Sequence, residues 1–250
     1  MHRFYLDSKL IQDGLVELSD KESLHAKKVL RLGPGDAVEL FDGLGKSFQG
    51  IISSVRARRV SVLVRELPRD PESGIRISLA CGVIKPARME WMLEKACELG
   101  VYQWYPLLTQ RVVVHLSAER WKTKIGRWRK IALESCKQCG RSKIPEIQEP
   151  LTFKNLIREF PKYDIVFIPT LAVVGENFHA ALSSRSQADK ILILIGPEGD
   201  FTAEEVRQAL EAGAVAVDLG KLVMRAETAA LFALSAAQFF TQSELKKRQA

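Results

Sequence analysis

From residue 77 to the end of the chain, short apolar segments alternate with helical segments. We predict strands at residues 77–83, 101–107, 165–168, 190–195 and 215–219. We predict helices at residues 88–99, 119–139 and 227–240, and one from the capping box of Thr202 and Glu205 to Gly213. This alternation is typical of an α/β domain with a mainly parallel sheet.

The first seventy residues follow a different pattern, typical of a small β-rich unit. Segments 37–41 and 48–52 alternate apolar and polar residues around a hairpin-type turn at 42–45. A strand is predicted at 60–64, and a helix at 21–32 that the turn at 33–36 ends. Residues 67–74 have linker composition. We therefore predict two domains, 1–70 and 74–250.

Positive charge is concentrated in the middle of the chain. The net charge is +7, and residues 85–145 hold 13 Lys and Arg against 5 Asp and Glu. A basic segment of this kind suits a protein that lays one face on a nucleic acid, since each neutralised phosphate releases counterions. The alternative from charge alone is a solvated basic helix face.

Hydropathy and cysteine spacing exclude other classes. No segment approaches the ~18 uninterrupted apolar residues of a membrane span, so we predict a protein without membrane contact. The four cysteines include a Cys136-x-x-Cys139 pair but no second pair at zinc-ligand spacing. We therefore expect reduced thiols, no metal and a cytoplasmic location.

Two loops in the last third of the chain carry candidate chemistry. Gly196-Pro197-Glu198-Gly199 follows an apolar strand and precedes a capped helix, which is where open α/β sheets bind ligands. It lacks the Gly-Lys-Ser/Thr ending of a phosphate loop, and Glu198 would repel an anion. The alternative is an ordinary β–α turn.

Arg225 and Glu227 lie at the start of a helix that is apolar on nearly all sides. Charged groups at such a position are costly unless they are paired or used. The alternative is a plain Arg–Glu pair that caps the helix, with Glu227 favoured by the dipole of the first turn.

Taken in order along the chain, these motifs carry a resemblance. Gly196-Pro197-Glu198-Gly199, then Leu219-Gly220, then Arg225-Ala226-Glu227-Thr228-Ala229 resemble the carboxy-terminal signature of the SPOUT-class methyltransferases that modify uridine N3 in small-subunit (16S) ribosomal RNA. The upstream segments 95–101, 106–111, 136–141 and 144–146 are similar to that family too. Asp200 departs from it, because the family usually has glycine there.

The resemblance implies a fold and partners. The fold is a SPOUT-type α/β knot, with a carboxy-terminal trefoil knot and a mainly parallel sheet, behind an N-terminal PUA-like, RNA-binding β-barrel domain. The cofactor is S-adenosyl-L-methionine, bound in the knot. The partners are small-subunit ribosomal RNA or the assembled 30S subunit, and a second copy of the chain in a homodimer.

Uridine N3 carries a proton at neutral pH, so the site must stabilise the anion left when that proton is removed. We predict Arg225 as the catalytic cation, with Arg111 and Lys85 as further candidates. Glu198 either orients the donor or accepts the N3 proton. The predicted cofactor-binding residues are Thr170, Leu171, Gly196, Glu198, Gly199, Leu219, Gly220, Leu222, Met224, Thr228 and Ala229.

The basic segment is the predicted RNA-binding surface. Trp121 and Trp128 lie seven residues apart on one helical face, so we expect core packing for both. The predicted RNA-binding residues are His25, Lys28, Arg31, Lys85, Arg88, Arg111, Lys130, Lys137, Gln138 and Arg141.

Two alternative functions remain at this point. The first is a SPOUT enzyme that methylates the ribose 2′-hydroxyl, although the last motif of such enzymes usually reads Ser-Leu-Asn rather than Arg225-Ala226-Glu227-Thr228. The second is a non-catalytic RNA-binding or ribosome assembly factor.

Overall fold

The computed structural model describes residues 1–57, 59–68, 75–112 and 116–249. They divide into two compact units. The first comprises Met1–Glu72 with Leu133–Ile144, and the second Ser73–Ala132 with Pro145–Ala250. The predicted linker lies outside the described residues except for Leu67 and Pro68, and the linear boundary at 70–74 stays a prediction.

The first unit is β-rich, as predicted. Its five-stranded sheet has the order β1-β3-β4-β5-β2. The strands are β1 (His2–Tyr5), β2 (Leu15–Glu17), β3 (Ala37–Phe41), β4 (Ser47–Val55) and β5 (Val60–Glu66). Alternate residues such as Val38, Leu40 and Val62 are buried, because side chains of a strand point to opposite faces in turn.

The predicted hairpin turn between β3 and β4 is confirmed. The Asp42 backbone N–H donates to the Lys46 carbonyl at 3.1 Å, and β3 and β4 pair antiparallel. Gly43 and Gly45 have φ angles of +74° and +103°, which glycine adopts without strain.

The predicted helix at 21–32 is shorter than expected. The structure has α1 (Asp20–Leu24) followed by a π-helical turn, His25–Val29. Arg31 has φ of +56°, a left-handed conformation that cannot continue a helix. The chain therefore leaves the helix before the glycine turn.

The second unit contains an eight-stranded sheet of order β11-β13-β10-β12-β6-β7-β8, with β9 paired to β7. All of its recorded strand pairs are parallel, which confirms the predicted α/β class. The trefoil knot stays a prediction. The strands are β6 (Arg76–Gly82), β7 (Gln103–Leu108), β8 (Glu146–Ile147), β9 (Leu151–Thr152), β10 (Ile165–Pro169), β11 (Glu176–Asn177), β12 (Lys190–Ile195) and β13 (Val215–Asp218).

Helices cover this sheet and bury its central strands. The helices are α2 (Pro86–Glu98), α3 (Ala118–Cys139), α4 (Phe153–Ile157), α5 (Phe178–Ser183), α6 (Ala203–Glu211) and α7 (Ala226–Gln249). Leu192, Ile193 and Leu194 in β12 are 0% exposed, because a central parallel strand is covered on both faces. α7 packs on α2, β6 and β12.

Local signals in the sequence define several of these elements. The Thr202 hydroxyl accepts from the Glu205 N–H at 3.2 Å, and Glu205 Oε2 accepts from the Thr202 N–H at 2.9 Å, so the predicted capping box is formed.

Among the described residues, each helix is too short or too polar to span a membrane.

Candidate active site

A cavity of about 600 Å³ opens in the second unit where three parallel strands end. Its wall includes Pro169, Ile195 and Asp218, the last residues of β10, β12 and β13. The loops that follow these strands, the first turns of α7 and Arg88 of α2 complete the wall. We call this cavity the cleft. Its position is the usual ligand site of an open parallel sheet, and its volume suits a cofactor-sized molecule.

Most of the predicted cofactor-binding residues meet in the cleft, together with Arg225. The predicted residues that line it are Thr170, Leu171, Gly196, Glu198, Gly199, Leu219, Gly220, Leu222, Met224, Arg225 and Ala229. Arg88, predicted as an RNA contact, also lines it. Lining residues not predicted from the sequence are Pro169, Ile195, Pro197, Asp200, Val217, Asp218, Val223 and Ala226.

The loop after β12 folds tightly on itself, which explains its glycine. A Cβ on Gly196 would lie 2.8 Å from Asp200 Oδ1 and 3.0 Å from Asp200 Cα. A Cβ on Gly82, at the end of β6, would lie 2.6 Å from the Pro197 nitrogen. The distances of 2.8 and 2.6 Å are shorter than the contacts that real Cβ atoms make. A larger residue at Gly196 or Gly82 would therefore displace this wall of the cleft.

Asp200 connects two walls of the cleft. Its Oδ2 accepts from the Thr170 hydroxyl and from the Leu171 N–H, both at 3.0 Å, while Oδ1 accepts from the Phe201 N–H at 2.7 Å. Its φ angle is +61°, a conformation that Asp tolerates better than most residues. The departure from glycine noted in the sequence therefore adds a carboxylate bridge between the loops after β10 and β12.

The loop after β13 forms the wall on the other side of β10. The Gly220 N–H donates to Asp218 Oδ1 at 2.8 Å, and Gly220 has φ of +121°. Leu222 and Val223 are 82% and 77% exposed. The cleft therefore has an apolar rim that is open to solvent, which suits a flat aromatic group such as a purine.

Arg88 lies between two carboxylates. Its Nη1 is 3.4 Å from Glu198 Oε1, and its Nε is 3.8 Å from Glu227 Oε1. The Glu198 side chain is 45% exposed, whereas that of Glu227 is 12% exposed. Glu227 Oε2 is buried and has no hydrogen-bond partner among the described residues.

Arg225 is exposed and lies at the edge of the cleft. In the part of the chain that the structure describes, its guanidinium forms no hydrogen bond or ion pair. The predicted alternative of a capping Arg225–Glu227 pair is therefore absent from the described contacts, and Glu227 faces Arg88 instead.

Thr228 lies outside the cleft. It lines a second hollow of about 390 Å³ with Ala87, Arg88, Trp91, Arg225 and Glu227, and it is not part of the cleft wall. Arg88 and Arg225 line both cavities. The two cavities are therefore neighbours that share two cationic side chains.

Arg111 and Lys85 contribute differently from the other predicted residues. The Arg111 guanidinium donates to the Gly199 carbonyl oxygen and so supports the loop after β12 from outside the cleft lining. Lys85 is the exposed residue at the N-cap of α2 and lines neither cavity.

The basic helix α3 divides into buried and exposed residues. Trp121 and Trp128 are 9% and 0% exposed, which confirms the expected core packing. The Lys124 ammonium lies 5.7 and 5.5 Å from the two ring centroids, and burial lowers its pKa. Lys130 is exposed.

Lys137, in the part of α3 that belongs to the first unit, is engaged within the protein. Its ammonium pairs with Glu22 and lies 3.5 Å from Glu134, and its side chain is 13% exposed. Because Glu22 already neutralises this charge, Lys137 is poorly placed to contact phosphate.

The remaining predicted RNA-binding residues lie in the first unit. His25, Lys28, Arg31 and Gln138 are exposed, and Arg141 is half-buried. The His25 ring also packs edge-on against Phe4, with 6.4 Å between centroids. Cys136 is buried, and its thiol donates to the Lys143 carbonyl oxygen at 3.7 Å. The described residues hold no group of three or more His, Cys, Asp or Glu that could bind a metal.

Comparison with known proteins reveals relatives along nearly the whole chain. A family model described as "RNA methyltransferase domain" matches residues 71–238, and one described as "RNA methyltransferase PUA domain" matches residues 18–64. The ribosomal RNA small subunit methyltransferase E of Bacillus subtilis (strain 168) is 30% identical over 250 residues, covering 97% of this chain and 98% of the relative.

Solved structures are similar in sequence and in fold. The ribosomal RNA small subunit methyltransferase E from Neisseria gonorrhoeae, bound to S-adenosyl methionine, has 31% identity and a TM-score of 0.85, covering 96% of this chain and 97% of that one. A protein from Legionella pneumophila, solved with the bound cofactor SAM, has 34% identity and a TM-score of 0.86, covering 95% and 96%.

Proposed function

Because this chain belongs to the RNA methyltransferase family, we propose that it transfers a methyl group from S-adenosylmethionine to N3 of a uridine in small-subunit ribosomal RNA. The structural neighbours that carry S-adenosylmethionine support the choice of cofactor. The names of the relatives support the choice of RNA. The observation that carries the proposal is the cleft at the strand ends, with Arg225 at its edge and unpaired among the residues that the structure describes.

The residues of the cleft fit S-adenosylmethionine. Leu222, Val223 and Met224 offer an apolar surface to an adenine, and the backbone around Leu219 and Gly220 offers hydrogen-bonding groups. Glu198 and Asp218 place negative charge where a cationic ligand benefits from it. When bound, S-adenosylmethionine supplies a methyl group activated by the sulfonium charge.

The reaction requires a cation beside the acceptor base. Loss of the N3 proton leaves a negative charge that is shared by the two uracil carbonyl oxygens, and a guanidinium positioned beside these oxygens stabilises that charge. Arg225 is available for this role because its guanidinium has no partner among the described residues. Glu198 on the cleft side then orients the donor.

RNA binding is proposed for both units separately. In the second unit, the exposed Lys130 offers a phosphate contact. Arg88 lines the second hollow, and Lys85 is the N-cap residue of α2. In the first unit, the proposed RNA contacts are the exposed residues His25, Lys28, Arg31 and Gln138. The half-buried Arg141, three residues after Gln138, is a further proposed contact. Electrostatic contacts of this kind position the RNA without reading its sequence.

A homodimer is proposed because α7 leaves large apolar side chains uncovered. Phe232 and Phe239 are 46% and 76% exposed, and a spacing of seven residues places them on one helical face. Exposed aromatic residues grouped in this way indicate a protein interface. The occupant we propose is a second copy of the chain.

The function is tested by binding and by product analysis. Calorimetry should show that S-adenosylmethionine binds the protein. Incubation with unmethylated 16S RNA or with 30S subunits, followed by nucleoside mass spectrometry, should reveal N3-methyluridine. A 2′-O-methylated nucleoside would show ribose methylation instead, and a failure to bind the cofactor would indicate a non-catalytic RNA-binding or assembly factor.

A further inference from the structure

The second hollow lies beside the cleft and differs from it in chemistry. It is bounded by the start of α2 and the start of α7, through Ala87, Arg88, Trp91, Glu227 and Thr228, together with Arg225. The cleft offers a long apolar rim and strand-end backbone. The hollow instead combines an indole, two guanidinium groups, a carboxylate and a hydroxyl.

Trp91 offers this hollow a stacking surface. Its side chain is 49% exposed, whereas the other three tryptophans, Trp104, Trp121 and Trp128, are buried. Proteins that act on RNA bases take the base out of its stack and place it against an aromatic ring. A half-exposed indole in the wall of a nucleoside-sized hollow fits this use.

Glu227 adds a carboxylate to this hollow, with one oxygen that accepts no hydrogen bond from the described residues. Its side chain is 12% exposed, one oxygen is 3.8 Å from Arg88 Nε, and the other has no hydrogen-bond partner among the described residues. Buried polar atoms without a partner are rare in folded proteins and call for an explanation such as a catalytic role. It lies in the first turn of α7, where the backbone N–H groups point towards it.

The two glutamates are thereby separated. Glu198 lines the cleft and not the hollow, and Glu227 lines the hollow and not the cleft. Arg88 lies between them, at 3.4 Å from Glu198 and 3.8 Å from Glu227. If the methyl donor occupies the cleft, the acceptor base must reach it from the neighbouring hollow, where Glu227 is the carboxylate.

We infer that this hollow is the acceptor-base subsite, in which Trp91 stacks on a flipped-out pyrimidine, Arg225 faces a carbonyl oxygen and Glu227 accepts the N3 proton. This inference rests on the proposed function and deepens it. The Glu227 carboxylate takes the proton from N3, and the N3 electron pair forms a bond to the methyl carbon. The carbon–sulfur bond breaks, its electron pair passes to sulfur, and Glu227 later gives the proton to water.

Occupancy of the hollow is tested by tryptophan fluorescence. In the full-length protein with S-adenosylhomocysteine bound, iodide should quench Trp91 selectively, and Trp91→Phe should remove that quenchable signal. A short 16S RNA fragment with the target uridine should protect Trp91, and a fragment with cytidine at that position should protect it less. Trp91 shielded before RNA is added would assign the hollow to the subunit interface, and quenching unchanged by RNA would remove the base from it; either result overturns the inference.

The proton acceptor is tested with two isosteric variants, Glu227→Gln and Glu198→Gln. We expect Glu227→Gln to lower kcat by about 10²- to 10³-fold, with affinities for RNA and S-adenosylmethionine within about threefold of wild type, as expected for an interaction made only in the transition state. Its rate should rise with pH as N3 ionises unaided, and 5-fluorouridine, whose N3 proton is more acidic, should restore part of the rate. Glu198→Gln should weaken donor binding and gain nothing from 5-fluorouridine.

The outcomes separate this inference from the function itself. Wild-type turnover by Glu227→Gln, or a steep pH profile with rescue in Glu198→Gln, would overturn the role of Glu227 while leaving the methyltransferase proposal intact. Absence of N3-methyluridine with the wild-type protein would instead remove the proposed function. Retained donor affinity in Glu227→Gln verifies that the variant is folded.

Discussion

Arg225 is the residue whose removal should separate chemistry from binding. It is exposed at the boundary of the two cavities. Arg225→Ala should lower kcat by about 10²-fold or more, because a preorganised donor that faces developing charge contributes on that scale. RNA affinity, which is spread over many phosphate contacts, should change little.

Single-turnover kinetics and filter binding measure these two effects. The matched control is Lys221→Ala, since Lys221 is exposed in the same loop and lines neither cavity. Equal losses in Arg225→Ala and Lys221→Ala would point to a general effect of positive charge. Full turnover by Arg225→Ala would remove Arg225 from catalysis.

Asp200 should determine how tightly the cleft holds its ligand. Asp200→Gly keeps the positive φ angle without strain but loses the bonds to Thr170 and Leu171. We expect the dissociation constant for S-adenosylmethionine to rise about tenfold or more, because a hydrogen bond to a charged group contributes roughly 1.5–3 kcal/mol. Asp200→Asn keeps one carbonyl acceptor and should show a smaller loss.

Calorimetry gives the affinity, and hydrogen exchange of the Leu171 amide reports whether the bridge is open. Faster exchange in Asp200→Gly with unchanged affinity would contradict the prediction. It would mean that opening the bridge between the two loops does not weaken binding of the ligand.

At this scale, sequence reasoning located the loops of the site better than the contacts inside it. Gly196 and Glu198 could be predicted because ligands bind at the carboxyl ends of parallel strands. Arg225 could be predicted because a charge at the start of an apolar helix is costly unless it is paired or used, and because the motif around it resembles that of the family. The Asp200–Thr170 bond joins residues 30 positions apart in the chain. Glu198 and Glu227 line different cavities because the loop after β12 and the start of α7 each bring a carboxylate to Arg88. No local pattern encodes either relation.

Among the elements, α3 carries four lysines, and we expect different roles for two of them, Lys130 and Lys137. Lys130→Glu should weaken RNA binding and make it less dependent on salt, since an exposed cation that contacts phosphate releases counterions. Titrations over a range of salt concentrations measure this slope. An unchanged slope would show that Lys130 is a solvated surface residue.

Lys137→Glu should act on stability instead. It places a carboxylate against Glu22, which is 5% exposed, and breaking a buried pair costs about 3–5 kcal/mol. Urea unfolding measures the loss, and the exchanged pair Glu22→Lys with Lys137→Glu should recover part of it. Wild-type stability in Lys137→Glu would contradict a buried ion pair.

The elements that could be predicted are those with local signals. The apolar run of β12 and the capping box of α6 were both predicted, because burial on two faces and helix capping leave marks in a few adjacent residues. The two-residue strands β8, β9 and β11 were missed, because they exist only through pairing with β7 and β13. The π-helical turn at His25–Val29 was missed for want of a recognised pattern.

For the whole molecule, the proposed dimer makes α7 an interface. Phe239→Glu combined with Phe232→Glu should convert the dimer to a monomer, because two buried charges without partners would oppose association. Sedimentation equilibrium measures the mass. Leu210→Glu on α6, where Leu210 is 36% exposed, is the matched control and should stay dimeric. A double variant that keeps the mass of two chains would place the interface elsewhere.

The strand order of the second unit also determines the order in which its strands can pair while the chain is being synthesised. β6 can pair with β7 early, but its other neighbour, β12, begins at residue 190. The cleft needs residues up to Ala229. A nascent chain therefore emerges from the ribosome with one side of β6 waiting for a partner more than a hundred residues later, and such distant pairing is slow. The cleft is completed last, so prematurely terminated chains should be unable to bind the cofactor or to methylate RNA. Because β6 then lacks one neighbour, we expect such chains to depend on chaperones.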